Sequence, residues 1–259
     1  MAYNLTFNSY SLQDSSYRTK VVQHTNTPIR NIQAESRARA DGLTIVNTKY
    51  VSRDIVVEGQ LTAATRDALV QKIDEMKKKL ANDASGTLDI DYGNSTRRYF
   101  ATVQKLEIPE DFYNITAVPY TVYFFCADPF GYATSSGIVN LTSKTDLLLD
   151  TVLTVSGSVN SDPVLIFTVN SASGFSLLTF SNETTGESII VNKPAGADFS
   201  AADQVIINCQ TKQVHINASG LDYTGRFPSI APETARLRVA LSATSANYDA
   251  KYQYAPRFL

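Results

Sequence analysis

Tryptophan is absent from this 259-residue chain, and cysteine, methionine and histidine occur only twice each. Two cysteines cannot build a disulfide framework. Cys126 and Cys209 sit in apolar, strand-like runs (YFFCAD and IINCQT) in different halves, so both are expected to be buried free thiols. His24 and His215 also lie in different halves, and neither has a carboxylate or nucleophile at motif spacing. There is no G-x-S-x-G, no phosphate-binding loop and no dinucleotide fingerprint, and no Cys/His group has metal-ligand spacing. The expectation is therefore a chain without catalytic, cofactor or metal residues. Charged side chains make up only 19% and the net charge is −2, so nothing global draws the protein to nucleic acid. No apolar run approaches the roughly 20 residues that span a bilayer, and no membrane association is expected. The opening residues, MAYNLTFNSYSLQD, lack the basic and apolar regions of a secretory leader, which leads to an expectation of synthesis in a cytoplasm.

What is present reads mainly as β-strand. Candidates in the first half are 3–7, 20–22, 42–46, 53–60, 86–91, 98–107 and 120–127. One segment differs. Leu69, Ile73, Met76 and Leu80 recur on one helical face, which predicts a single helix over about 63–81 with Thr62 as its N-cap. Asp67 near its start and Lys77, Lys78 and Lys79 near its end match the helix dipole. Residues 133–140 (ATSSGIVN) are small and polar, and predict a boundary between domains at 1–136 and 137–259. The second half alternates short strands with turn signals such as Thr185-Gly186 and Ser219-Gly220, the pattern of a β-sandwich.

Three constellations carry possible function. Asp89 and Asp91 share one side of a strand, which allows a carboxylate pair or a calcium ligand set, although a solvated strand end explains them as well. Phe175, Tyr223 and Phe227 are available as ring contacts for a sugar or a partner in the second half, with core or interface packing as the alternative. The segment from about 18 to 53 holds seven basic side chains, among them Arg30, Arg37, Arg39 and Lys49, against Glu35 and Asp41. Between Gln23 and Asp41 it shows little periodicity, and Ile29 and Ile32 look isolated. It is either a solvated loop or an extended arm or hairpin laid over a neighbouring subunit, because long unpatterned loops in compact domains are uncommon unless functional.

The ordered set R-A-D-G (Arg39–Gly42), R-D-I-V-V-E-G (Arg53–Gly59), G-T-L-D-I-D (Gly86–Asp91), R-R-Y-F-A-T-V (Arg97–Val103) and V-Y-F-F-C-A-D-P-F-G-Y (Val122–Tyr132) resembles the siphophage distal tail protein family. The resemblance continues through N-E-T-T-G-E (Asn182–Glu187), Val205–Gly220, Gly225–Leu237 and Tyr252–Phe258. Glu233 and Ala235 stand where the family pattern has glycine and asparagine, so that turn is expected to be built differently. The resemblance implies a mainly β protein: an N-terminal β-sandwich with one α-helix, then a galectin-like outer β-sandwich. It implies a structural, non-enzymatic subunit of a homo-hexameric ring at the distal end of the tail tube in the virion, with 18–53 as a belt. The implied partners are the tail tube protein, the hub or tip protein and a receptor-binding protein, with DNA passing through the lumen without specific binding. A carbohydrate-binding adhesion module of a phage tail is the alternative.

Overall fold

The computed structural model describes residues 4–23, 26–37, 40–80, 85–93, 95–109, 116–193 and 197–259. The chain divides into two compact units, Met1–Thr134 with Leu259, and Ser135–Phe258. Both are built of antiparallel strands, and the protein is mainly β with one helix among the described residues.

In the first unit the strands are β1 (Leu5–Phe7), β2 (Tyr10–Ser11), β3 (Tyr17–Gln23), β4 (Ile29–Ser36), β5 (Leu43–Thr62), β6 (Gly86–Asp91), β7 (Thr96–Glu107), β8 (Ala117–Cys126) and β9 (Gly131–Ala133), with α1 (Arg66–Leu80) between β5 and β6. They pair in the order β2-β1-β6-β7-β8-β5-β3, with β4 on β5 and β9 on β7. Strand β7 joins two layers. Its first half pairs with β6 and its second with β8, and its register shifts between Val103 and Lys105. Such a bulge bends a strand and increases its twist. The sheet consequently folds over itself: Phe7 and Phe124 lie on strands separated by β6 and β7, yet their ring centroids are 5.2 Å apart. Alternation explains the inward set, since Leu88 and Ile90 on β6, and Val118, Tyr120, Val122 and Phe124 on β8, are almost fully buried.

Helix α1 closes this core with Leu69, Ile73, Met76 and Leu80, the face read from the sequence. Its start differs from expectation. Thr65, not Thr62, is the N-cap, its Oγ1 accepting the Ala68 N–H at 3.3 Å. Thr62 instead ends β5, where its N–H donates to the Ser16 carbonyl at 2.8 Å. Ala81 lies outside the described residues.

The second unit comprises β10 (Gly137–Lys144), β11 (Leu148–Val155), β12 (Val164–Ser173), β13 (Leu177–Asn182), β14 (Glu187–Asn192), β15 (Gln204–Asn208), β16 (Gln213–Ile216), β17 (Ser219–Gly220), β18 (Tyr223–Gly225), β19 (Glu233–Ser242) and β20 (Ser245–Tyr254). One sheet runs β10-β20-β12-β15-β16-β17 and the other β11-β19-β13-β14-β18. Their inner faces share one core, in which Phe180 of one sheet stacks near Tyr252 of the other at 6.0 Å and Phe167 stacks on Tyr248 at 4.6 Å. The polar stretch at 133–140 is partly strand. Gly137 begins β10, and an added Cβ there would meet the Tyr254 ring at 2.3 Å, so this glycine serves close packing as well as the turn before it.

A projecting hairpin as the candidate functional site

Strands β3 and β4 run one after the other along β5. Tyr17 pairs with Leu61 and Gln23 with Val56, then Ile29 pairs with Ser52 and Ser36 with Leu43. Residues 17–23 and then 29–36 therefore line one edge of β5 in succession. The base of β5 is also covered on its other edge, since β8 pairs with it from Arg53–Cys126 to Thr62–Ala117. Strand β8 stops there, just before Asp128-Pro129, and a proline cannot continue a central ladder. Beyond that point, among the described residues, β5 has only β4 as partner, and the two strands leave the sheet as a two-stranded arm.

Burial changes at the same place. From Ser52 to Thr62 the side chains alternate between buried and half-buried, apart from exposed Asp54, whereas every residue of β4 is exposed. Six of the fourteen exposed large hydrophobics among the described residues fall on this arm: Ile29, Ile32, Leu43, Ile45, Val46 and Val51. Single exposed apolar residues are ordinary, but a cluster of this size marks an interaction surface. Ile29 and Ile32 are thus not isolated. They belong to a strand whose partner supplies the other four.

The arm's root is braced. The Arg30 guanidinium donates to the Tyr50 hydroxyl at 2.6 Å and sits 4.8 Å from the Tyr50 ring centroid, and Tyr50 packs edge-on against Phe130 at 5.8 Å. Below it Arg53 is 3% exposed; its Nη1 donates to the Tyr99 hydroxyl at 3.1 Å, and that hydroxyl lies 3.2 Å from the Tyr92 hydroxyl. Burial, helped by the bond to Tyr99, pushes the Tyr92 phenol well up from its ordinary value, so it stays neutral. Of the other basic residues singled out in the sequence, Arg37 closes the tip. Its N–H donates to the Gly42 carbonyl at 3.3 Å and its Nε to Thr44 Oγ1 at 3.4 Å. Lys49 lies opposite Asn31, and Arg39 and His24 fall outside the described residues. Among the described residues, Arg30, Arg37 and Lys49 form no ion pair.

The other candidates divide. Phe175 is a correction: it is fully buried between Phe167 and Phe199, with centroids at 5.9 and 4.5 Å, and offers no ring face to a sugar or a partner. Tyr223 and Phe227 do come together, edge to face at 4.9 Å, beside a surface cleft. Asp89 is held by both guanidinium nitrogens of Arg98 at 2.8 Å, and Asp91 accepts the Gly93 N–H at 2.7 Å, so each carboxylate has a local structural task. Cys126 and Cys209 are buried free thiols, and burial pushes both up to about 12.

Residues 156–258 match the family model described as the siphovirus-type tail component, C-terminal domain. The chain also shares its fold, over 100% of both chains, with the crystal structure of SPP1 Dit (gp 19.1), described as a paradigm of the hub adsorption apparatus in phages that infect Gram-positive bacteria. That match has a TM-score of 0.73 at 12% identity. A chain of the phage P2 baseplate in its activated conformation with Ca aligns over 98% of this chain and 97% of its own length at 7% identity. Its TM-score of 0.47 is below the level at which a shared fold is inferred. No curated protein matches the sequence. The family model over residues 156–258 and the shared fold agree with the resemblance read from the ordered sequence runs.

Proposed function

We propose that this protein is the distal ring subunit of a phage tail. Six copies close head to tail around a channel at the lower end of the tail tube, and the β4–β5 arm of each copy lies over the next. The observation that carries this reading is the arm itself: six apolar side chains on a ribbon that no other strand among the described residues accompanies. Burying them at ~1.5–3 kcal/mol each gives a gross gain on the order of 10 kcal/mol per contact. Part of that gain is offset by the freedom lost on association. A head-to-tail contact of this kind forms a closed ring when its rotation divides the circle, and a filament otherwise.

The arm's cations define its acceptor. Arg30, Arg37 and Lys49 favour an acidic, partly apolar surface. The outward face of β5 and β8 offers one, since exposed Asp54 lies directly across from Phe125, which is 41% exposed. The remaining partners in this proposal are the tail tube on one side of the ring, the hub or tip protein on the other, and a receptor-binding protein on the outer unit. DNA slides through a lumen that does not grip it, consistent with the net charge of −2. Two-dimensional class averages of the purified protein by negative-stain electron microscopy test the ring. Six-fold annular particles are expected; a uniform population of single particles of one-subunit size contradicts it.

A further inference from the structure

A cleft of about 500 Å³ opens on the C-terminal unit between β14, β18 and the β15–β16 turn. Its aromatic wall is Tyr223, 41% exposed, held edge to face by Phe227, which is itself half-buried against the sandwich core. The Tyr223 hydroxyl donates to the Lys212 carbonyl at 3.4 Å, which ties the ring to the turn. That turn is fixed in its own right, because Asn208 Oδ1 accepts the N–H groups of Gln210 and Thr211. Gly225 has φ +105°, and a Cβ there would lie 2.3 Å from the Ser188 carbonyl oxygen. Only glycine lets the chain close on β14 at this point. The reversal sends the next residue outward: the Arg226 side chain is 82% exposed.

Two largely exposed cations flank the ring, each in a long and therefore weak ion pair with its nearest carboxylate. Glu187 lies 3.7 Å from Arg226, but its Oε2 already accepts from the Ser229 N–H and hydroxyl, both at 2.8 Å, and from Thr185 at 3.2 Å. Asp162 lies 3.5 Å from Lys212 and is held more closely by Arg257 at 2.9 Å. Lys212 Nζ also stands 5.4 Å from the Phe227 ring centroid, on the aromatic side of the cleft. The cleft thus combines a fixed, exposed ring with two weakly neutralised cations and a carboxylate oriented by Ser229.

We propose that this cleft binds a saccharide bearing an anionic group. The C–H face of the sugar lies on Tyr223, its carboxylate or phosphate sits against Lys212 and Arg226, and a hydroxyl donates to Glu187. An aromatic wall with a few fixed polar groups is the usual design of such sites, and the charge-assisted bonds to Arg226 select the anion. This assignment stands whether or not the chain forms a ring.

Isothermal titration of the full chain tests it with three probes: a hyaluronan tetrasaccharide carrying carboxylates, a phosphorylated maltotetraose carrying phosphate, and neutral maltotetraose. At least one acidic probe is expected to bind ten-fold or more tightly than maltotetraose, and the one that does so identifies the anion. Tyr223→Ala is expected to weaken that binding at least ten-fold, and Arg226→Ala to bring the acidic and neutral probes to equal affinity. Both residues are exposed, so an unchanged melting temperature verifies that the variants fold. Absence of binding by both acidic probes at millimolar concentration, equal affinity of the unaltered chain for maltotetraose, or unchanged affinity in both variants overturns the proposal.

Discussion

Glu233 holds φ at +78°, a backbone region that favours glycine. The sequence leads one to expect a differently built turn at this position, where the family pattern has glycine. The backbone keeps the left-handed conformation and the side chain is strained by it. Glu233→Gly is therefore expected to stabilise the protein by about 1 kcal/mol, read as a higher urea midpoint at unchanged m-value. The two thiols set a second residue-level expectation. Burial raises Cys126 from the ordinary 9.0 to about 12, so the folded state holds its proton more tightly than the unfolded one. Its contribution to stability is complete below about pH 9 and is lost as pH rises from there towards 12. Urea midpoints measured between pH 8 and 11 are expected to fall with pH, and to fall less steeply in Cys126→Ala. Phe175 and Tyr223 show what single residues conceal. Both are aromatics next to turn signals, but Phe175 packs beneath β13 at 0% exposure while Tyr223 lies on the edge strand β18, and only the fold separates them.

At the scale of elements, legibility followed burial within the chain. Strand β6 at Gly86–Asp91 coincides with the run read from the sequence, and the buried face of α1 does too. Each has one side in its own core, and that one-sided burial writes the period of two or 3.6 into the residues. The arm has no such side. All eight residues of β4 are exposed, so it carries no alternation of burial. The 20-residue strand β5 read as two short pieces, 42–46 and 53–60, with the exposed stretch between them unassigned. The same reasoning yields a direct expectation. Leu43→Asn together with Ile45→Asn removes apolar area that the folded unit does not use. The melting temperature should change by less than two degrees, since exposed substitutions alter stability by about 0.5 kcal/mol or less. Particles in electron micrographs should meanwhile lose their annular form. A large drop in melting temperature would mean that the arm packs on its own chain.

At the scale of the whole molecule, the two units divide the work. The first puts six of its nine exposed large hydrophobics, among the described residues, on a ribbon braced at its root by Arg30, Tyr50 and Phe130. The second is a sandwich with its own continuous core and a polar, ring-walled cleft on its surface. The family model covers the second unit, whereas the proposed assembly rests on the first. The ring is therefore tested most directly on the arm. Light scattering gives the solution mass of the full chain and of a variant in which residues 30–50 are replaced by a short glycine linker. The account expects about 170 kDa for the full chain, six copies of 28.4 kDa, and a folded single subunit for the variant. A full chain that stays at one subunit, or a variant that assembles as the full chain does, would contradict it.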